Sequence, residues 1–220
     1  MPGPSYDASI MSSWDKLKGK FIVLDGPDGA GKSSQLQLLS EFLSEQQLEN
    51  LMVRDPGGTR IGEQIRKILL SKDNGEMSVR TEALLYMASR AQLYGEVIAP
   101  ALERQKCVLC DRWISSTYAY QAVAGSAGAQ MVLQLAEAGL ERTWPDLTVI
   151  LDLPSEVGLA RVGHSPDRME NKGKAFHQKV REAFLELAQT RADFRVVDGA
   201  GTIEQVHQRL REVMAGYVNS

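Results

Sequence analysis

One run, Gly26-Pro27-Asp28-Gly29-Ala30-Gly31-Lys32-Ser33, restricts what this chain can fold into more than any other feature. It satisfies G-x-x-x-x-G-K-[ST] and stands between an apolar stretch, Lys20 to Asp25, and a segment of helical spacing, Lys32 to Gln46. A strand that turns into a helix through such glycines aims backbone N–H groups at an anion, and the helix N-terminus adds its positive end. Lys32 then serves as a point charge for the β- and γ-phosphates of a nucleotide, ATP or GTP as far as the motif alone tells, and Ser33 offers a hydroxyl to Mg²⁺. The expected ATP-binding segment is Gly26, Pro27, Asp28, Gly29, Ala30, Gly31, Lys32, Ser33 and Ser34.

The rest of the chain supplies the scaffold such a loop needs. Five short apolar runs read as strands: Lys20 to Asp25, Leu51 to Arg54, Cys107 to Asp111, Leu147 to Leu153 and Phe194 to Asp198. Several are apolar throughout rather than alternating, the pattern of strands covered on both faces. Between them lie segments of helical spacing: Lys32 to Gln46, Ile61 to Leu70, Arg80 to Arg104, Ala129 to Leu140, Lys174 to Thr190 and Ile203 to Tyr217. The expected fold class is therefore α/β, a three-layer arrangement with a five-stranded parallel sheet flanked by helices on both faces. Ligands of such sheets collect beyond the carboxyl ends of the strands, where the polar motifs fall.

Composition narrows the function further. With 25 Lys+Arg against 28 Asp+Glu, the net charge of −3 gives no global attraction to nucleic acid or an anionic membrane, so neither is expected as a partner. No run approaches the roughly 20 apolar residues of a membrane span, and the N-terminal stretch lacks the pattern of a signal peptide, so the expectation is a cytoplasmic protein. Residues 1–18, polar and without period, read as a flexible extension before one domain over 19–220. Cys107 and Cys110 have C-x-x-C spacing, but on a strand they point to opposite faces about 10 Å apart, which suits two core residues rather than a disulfide.

Two further polar clusters follow strands. Arg54-Asp55-Pro56-Gly57-Gly58-Thr59-Arg60, with Arg66 on the next helix, combines a turn that admits close backbone approach with arginines that grip phosphate. Asp111-Arg112-Trp113, continued by Ser115-Ser116-Thr117-Tyr118-Ala119-Tyr120-Gln121, puts an acid and an arginine together at a strand's carboxyl end, one suited to Mg²⁺ and its water, the other to phosphate.

Taken in order with the glycine loop, Tyr86-Met87-Ala88-Ser89-Arg90 and Pro145-Asp146-Leu147, these clusters make the chain from about residue 20 to 215 resemble the thymidylate kinases, a family of P-loop nucleoside monophosphate kinases. The resemblance implies Mg²⁺-assisted in-line transfer from ATP to dTMP, with dTMP and ATP as partners, Mg²⁺ as cofactor and a homodimeric assembly. It implies that Asp28 contacts the sugar 3′-hydroxyl, Tyr86 stacks on the base and Arg90 reaches a base carbonyl. It implies that Arg66 and Arg112 hold the acceptor phosphate, Tyr120 crowds the 2′ position, and Ser116, Thr117 and Gln121 lie along the base, with Asp55 and Pro56 also in the acceptor site. Lys32, Asp111 and Arg112 become catalytic candidates, and Ser33 with Asp111 the metal-side pair.

A segment near 161–174, containing Arg161, His164 and Arg168, resembles the lid of these kinases. The family carries a phosphate-contacting arginine in the loop or in the lid; this loop has none, so Arg161 or Arg168 must supply it, with Lys172 and Lys174 nearby. Two other readings share the glycine loop: a kinase for a different nucleoside monophosphate, and a nucleotide-binding switch with little turnover.

Overall fold

The computed structural model describes residues 14–161 and 167–219. Five strands, β1 (Phe21–Asp25), β2 (Asn50–Arg54), β3 (Cys107–Asp111), β4 (Leu147–Asp152) and β5 (Phe194–Asp198), form one sheet in the order β2-β3-β1-β4-β5. All pairings are parallel, with Val23 opposite both Cys110 and Thr148. Every residue of the central strand β1 is buried, as the apolar run Phe21 to Leu24 requires, while the edge strand β2 is only partly covered and carries the polar Asn50 and Arg54.

Helices cover both faces. α1 (Lys32–Glu45) packs on one side with the C-terminal helix Ile203–Asn219, over Ile22, Leu24, Leu109, Val149 and Leu151. The opposite face, with Phe21, Val23, Val108 and Cys110, is covered by α3 (Val79–Leu93), which follows α2 (Arg60–Leu70). Cys107 and Cys110 fall in these two separate cores and remain free thiols; burial pushes Cys107 up to about 12.

The segment expected as one helix from Arg80 to Arg104 is divided. α3 passes through a π-helical stretch, Tyr94–Ile98, into the short α4 (Ala99–Glu103), because Pro100 has no N–H to continue the regular ladder. α5 (Ile114–Thr117) and the π-helical Tyr118–Ala124 form where sequence periodicity indicated no helix; Ser, Thr and Tyr are weak helix formers, and burial holds the turns in place. α6 (Ala129–Gly139), α7 (Ser155–Arg161), α8 (Lys174–Thr190) and α9 (Ile203–Asn219) complete the chain.

The boundary of the expected extension needs correction. Trp14 is buried, its ring 5.1 Å from that of Phe42 in an edge arrangement, and Leu17 lies wholly within the α1/α9 core at the end of a 3₁₀ turn, Asp15–Leu17. One turn with two apolar anchors is too short to produce a period, which is why the sequence pattern missed it. Residues 1–13 of that extension, and 162–166 of the expected lid including His164, lie outside the described residues.

Candidate active site

The carboxyl ends of β1 and β3 organise the site around a buried acid, Asp25. Its carboxylate accepts from Gly26 N (2.9 Å), Ser115 Oγ (2.6 Å), Ser116 Oγ (2.7 Å) and, more loosely, Arg112 Nη1 (3.4 Å). Sequence reading passed over it because a terminal strand acid beside a motif has no signature of its own. Its effect is to tie the glycine loop to the start of α5.

Beyond Asp25 the loop turns through Gly26, Gly29 and Gly31, all at positive φ, and α1 begins at Gly31 with no side chain capping its first turn. Those N–H groups are left to an anion. Gly29 has a second reason to lack a side chain: a Cβ there would stand 2.0 Å from the carbonyl oxygen of Gly158 on α7. Lys32 folds back over the loop, donating to Pro27 O (2.7 Å) and Gly26 O (3.1 Å). Burial, with Arg112 adding repulsion, pulls its ammonium down to about 8 against the opposing pull of Asp111, Asp28 and Asp25. Ser33 donates to Asp111 Oδ2 at 2.7 Å, so the hydroxyl and carboxylate expected on the metal side are adjacent.

Arg112 joins this loop to the acceptor cluster. It sits in the left-handed region (φ 70°), a conformation that costs free energy in a non-glycine residue, and it donates to Gly26 O, Ser116 Oγ (each 3.0 Å) and the Asp28 carboxylate. Tyr120 donates to the other Asp28 oxygen at 2.7 Å. Burial raises the Asp28 carboxyl, but Arg112, Lys32 and the Tyr120 hydrogen bond outweigh it and hold the group below its ordinary range. Tyr120 itself, buried and facing that carboxylate, is pushed well above the usual phenol.

Deeper in, Asp55 Oδ2 receives Arg90 through Nε (2.9 Å) and Nη2 (2.5 Å), with Nη2 also reaching Trp113 O and Thr117 Oγ1. Arg90 is wholly buried, and its Nη1 lies 3.5 Å from Met87 Sδ. Arg66 donates to Pro56 O at 2.9 Å.

A cavity of about 760 Å³ runs through these groups. It is lined by Asp28 to Ser34 of the loop, by Asp55, Pro56, Arg66, Tyr86 and Arg90, and by Asp111, Arg112, Ser116, Thr117, Tyr120, Gln121 and Arg161. Gly26 and Pro27 contribute through their carbonyls from behind the lining.

Arg168 departs from expectation. Its Nη1 is 2.6 Å from Glu82, its Nε donates to Leu69 O at 2.8 Å, and it is not part of the cavity wall. Glu82 is buried on α3, and a buried carboxylate left without a counter-charge is costly, so the arginine turns inward to compensate it. Of the two lid candidates, Arg161 is the one at the loop, its Nη1 3.5 Å from Gly29 O. The far end of the cavity was also missed: Gly199, Gly201, Thr202, Ile203 and Val206 wall it beyond β5. The Asp-Gly-Ala-Gly run at a strand's carboxyl end was its visible signal.

A glycine loop opening a helix under a parallel sheet, continuous with a phenol- and arginine-lined pocket of nucleotide size, defines a P-loop kinase of nucleotide-like acceptors. Residues 24–210 match the family model described as thymidylate kinase. A thymidylate kinase of Symbiobacterium thermophilum is 43% identical over 196 residues, covering 88% of this chain and 92% of the relative. One of Latilactobacillus sakei is 43% identical over 205 residues, covering 90% and 96%. Among solved structures, thymidylate kinase from Ehrlichia chaffeensis superposes with a TM-score of 0.74 at 28% identity, over 90% of this chain and 98% of that one. The chain belongs to the thymidylate kinase family.

Proposed function

We propose that this chain transfers the γ-phosphoryl group of ATP to dTMP, giving dTDP and ADP, with both nucleotides in the one cavity. The observation that carries this reading is Arg112, which touches the phosphate loop and the Ser116/Tyr120 acceptor segment at once. Two anions must approach in line, and a cation held between their sites offsets the repulsion.

The remaining roles follow from position. ATP extends from the loop toward the wall formed by Gly199 to Val206, with Lys32 at its β- and γ-phosphates. dTMP lies toward Tyr86, Arg90 and Gln121, its phosphate near Arg66 and Arg112, its sugar beside Asp28 and Tyr120. Tyr86 is kept protonated by burial and by nearby Glu82, leaving a neutral ring to face the base. Arg161 is the lid arginine that meets the moving phosphoryl group. Ser33 and Asp111 fit Mg²⁺, which takes few protein oxygens and completes its shell with water and phosphate. Bound there, Mg²⁺ would neutralise charge developing across the β- and γ-oxygens.

Among the described residues no helix is long and apolar enough to cross a membrane, and a cytoplasmic setting, where nucleotide pools are, fits the reaction. A homodimer is part of the proposal: Ile61 and Ile68 on α2 and Leu84 on α3 are exposed apolar residues that pairing would cover.

The test is a coupled assay of ADP release with ATP, Mg²⁺ and each nucleoside monophosphate in turn. dTMP should give the fastest turnover, and Lys32→Ala and Arg112→Ala should abolish it. ATP binding without acceptor-dependent ADP release would defeat the assignment.

A further inference from the structure

Glu82 played no part in the site as read from sequence, yet it is buried at 1% exposure on α3, one helical turn before Tyr86 and two before Arg90. Its Oε1 accepts from Gln121 Nε2 at 2.7 Å, and its Oε2 faces Arg168 Nη1 at 2.6 Å, with Lys172 Nζ 3.6 Å from Oε1. A carboxylate accepts hydrogen bonds and donates none, whereas a glutamine amide has one end that donates and one that accepts. The end of Gln121 against Glu82 is therefore its NH₂, and its carbonyl Oε1 is turned the other way. Among the described residues no protein group donates to that oxygen, and Gln121 lines the acceptor half of the cavity with Thr117 and Tyr86.

We infer that Glu82 is a positioning residue for base selection: it fixes the Gln121 amide with its acceptor toward the cavity, so that the site favours a base carrying N–H at ring position 3. Thymine and uracil have that donor; cytosine presents a lone pair there and would face the carbonyl acceptor to acceptor. The two ends of the amide are nearly identical in shape, so packing alone would not hold one orientation against the other. The acidic partner does. The inference rests on the assignment of a pyrimidine nucleoside monophosphate to this half of the cavity.

The experiment compares kcat/KM for dTMP, dUMP and dCMP in the unmodified protein, in Glu82→Gln, in Gln121→Leu and in the double variant, each checked by thermal melting. Glutamine at position 82 keeps the size but can donate or accept, so Gln121 is free to invert. The dTMP-to-dCMP preference should fall by about tenfold or more, the worth of one misdirected hydrogen bond in a buried site, while dTMP-to-dUMP is unmoved. In the Gln121→Leu background the change at 82 should have no further effect on either ratio. A merely structural role would slow all three acceptors alike, and unchanged ratios in folded Glu82→Gln overturn the inference.

A measurement on the unmodified protein covers a variant that fails to fold. With isotopically labelled dTMP bound, a scalar coupling across the hydrogen bond should join the base N3 nitrogen to the Gln121 side-chain carbonyl carbon; a coupling from the Gln121 NH₂ nitrogen to a base atom instead refutes the orientation. Turnover of none of the three acceptors by the unmodified protein sinks the kinase assignment itself, a result distinct from turnover with unaltered selectivity.

Discussion

Binding of ATP should draw a proton from solvent, and Lys32 fixes how many and at what pH. In the nucleotide-free chain its ammonium is pulled from 10.5 to about 8 by burial and by Arg112. Phosphate oxygens placed against it restore the charged form. At pH 9 a group titrating near 8 holds about 0.1 proton, so binding should take up about 0.9 proton, against about 0.1 at pH 7. The same linkage weakens ATP about tenfold between pH 7 and pH 9, about 1.4 kcal/mol. Phosphate monoester groups with a pKa near 6 are still about one-tenth protonated at pH 7 but fully ionised at pH 9, so the uptake at pH 9 is the reading free of them.

The assay is titration calorimetry at both pH values in two buffers of different ionisation enthalpy, with Lys32→Met as the control that removes the uptake. Uptake below about 0.2 proton at pH 9, with affinity unchanged, would show that Lys32 stays charged and that the balance of burial and repulsion is misjudged. The sign for folding is fixed too. Between pH 8 and 10.5 the unfolded chain binds more protons than the folded one, so nucleotide-free stability should rise with pH across that window, by about 3 kcal/mol from this group.

Other perturbations separate roles that the sequence left together. Arg161→Ala should lower kcat by about a hundredfold with little change in melting temperature, since the residue is exposed at the loop, whereas Arg168→Ala should destabilise by about 3 kcal/mol by stripping the buried Glu82 of its guanidinium. Chemical denaturation alongside steady-state kinetics distinguishes the two. Gly158→Ala would set a Cβ 2.2 Å from the Asp28 carbonyl oxygen, so the loop must shift; a rise in the KM for ATP with about 1–3 kcal/mol of lost stability is expected. Trp14→Ala should cost about 3 kcal/mol in denaturant titration by removing a buried ring from Phe42, and no loss would mean that the turn at Asp15–Leu17 carries no part of the core.

How much of this was legible in the sequence depended on whether burial leaves a period. β1, β3 and β4 are covered on both faces and read as unbroken apolar runs, so their positions were recovered to within a residue or two; α8, with Val180, Phe184 and Leu187 on one stripe, was recovered at both ends. The helical turns from Ile114 to Ala124 were not, because nearly every side chain there is buried and no polar face sets a period. In the site, the glycine loop declares itself through local backbone demands. Glu82 does not, since its partners Gln121, Arg168 and Lys172 come from elements far along the chain and meet it only after folding. Arg168 stood beside Arg161 as a lid candidate for the same reason: charge is visible in a sequence, but the nearest opposite charge is not.

The contact between Gly29 and Gly158 has a consequence for how this family's sequences vary. Both partners meet through backbone, Gly29 under the Gly158 carbonyl and Gly158 under that of Asp28, with no side chain from either entering the contact. A larger residue at one position cannot be accommodated by a smaller one at the other, because neither has anything left to give up. In a combinatorial library the two sites should each reject substitution independently and show no statistical dependence on one another, although they touch. Here the meeting of the phosphate loop with α7 is the kind of neighbour relation that correlated substitution, as a guide to contacts, passes over.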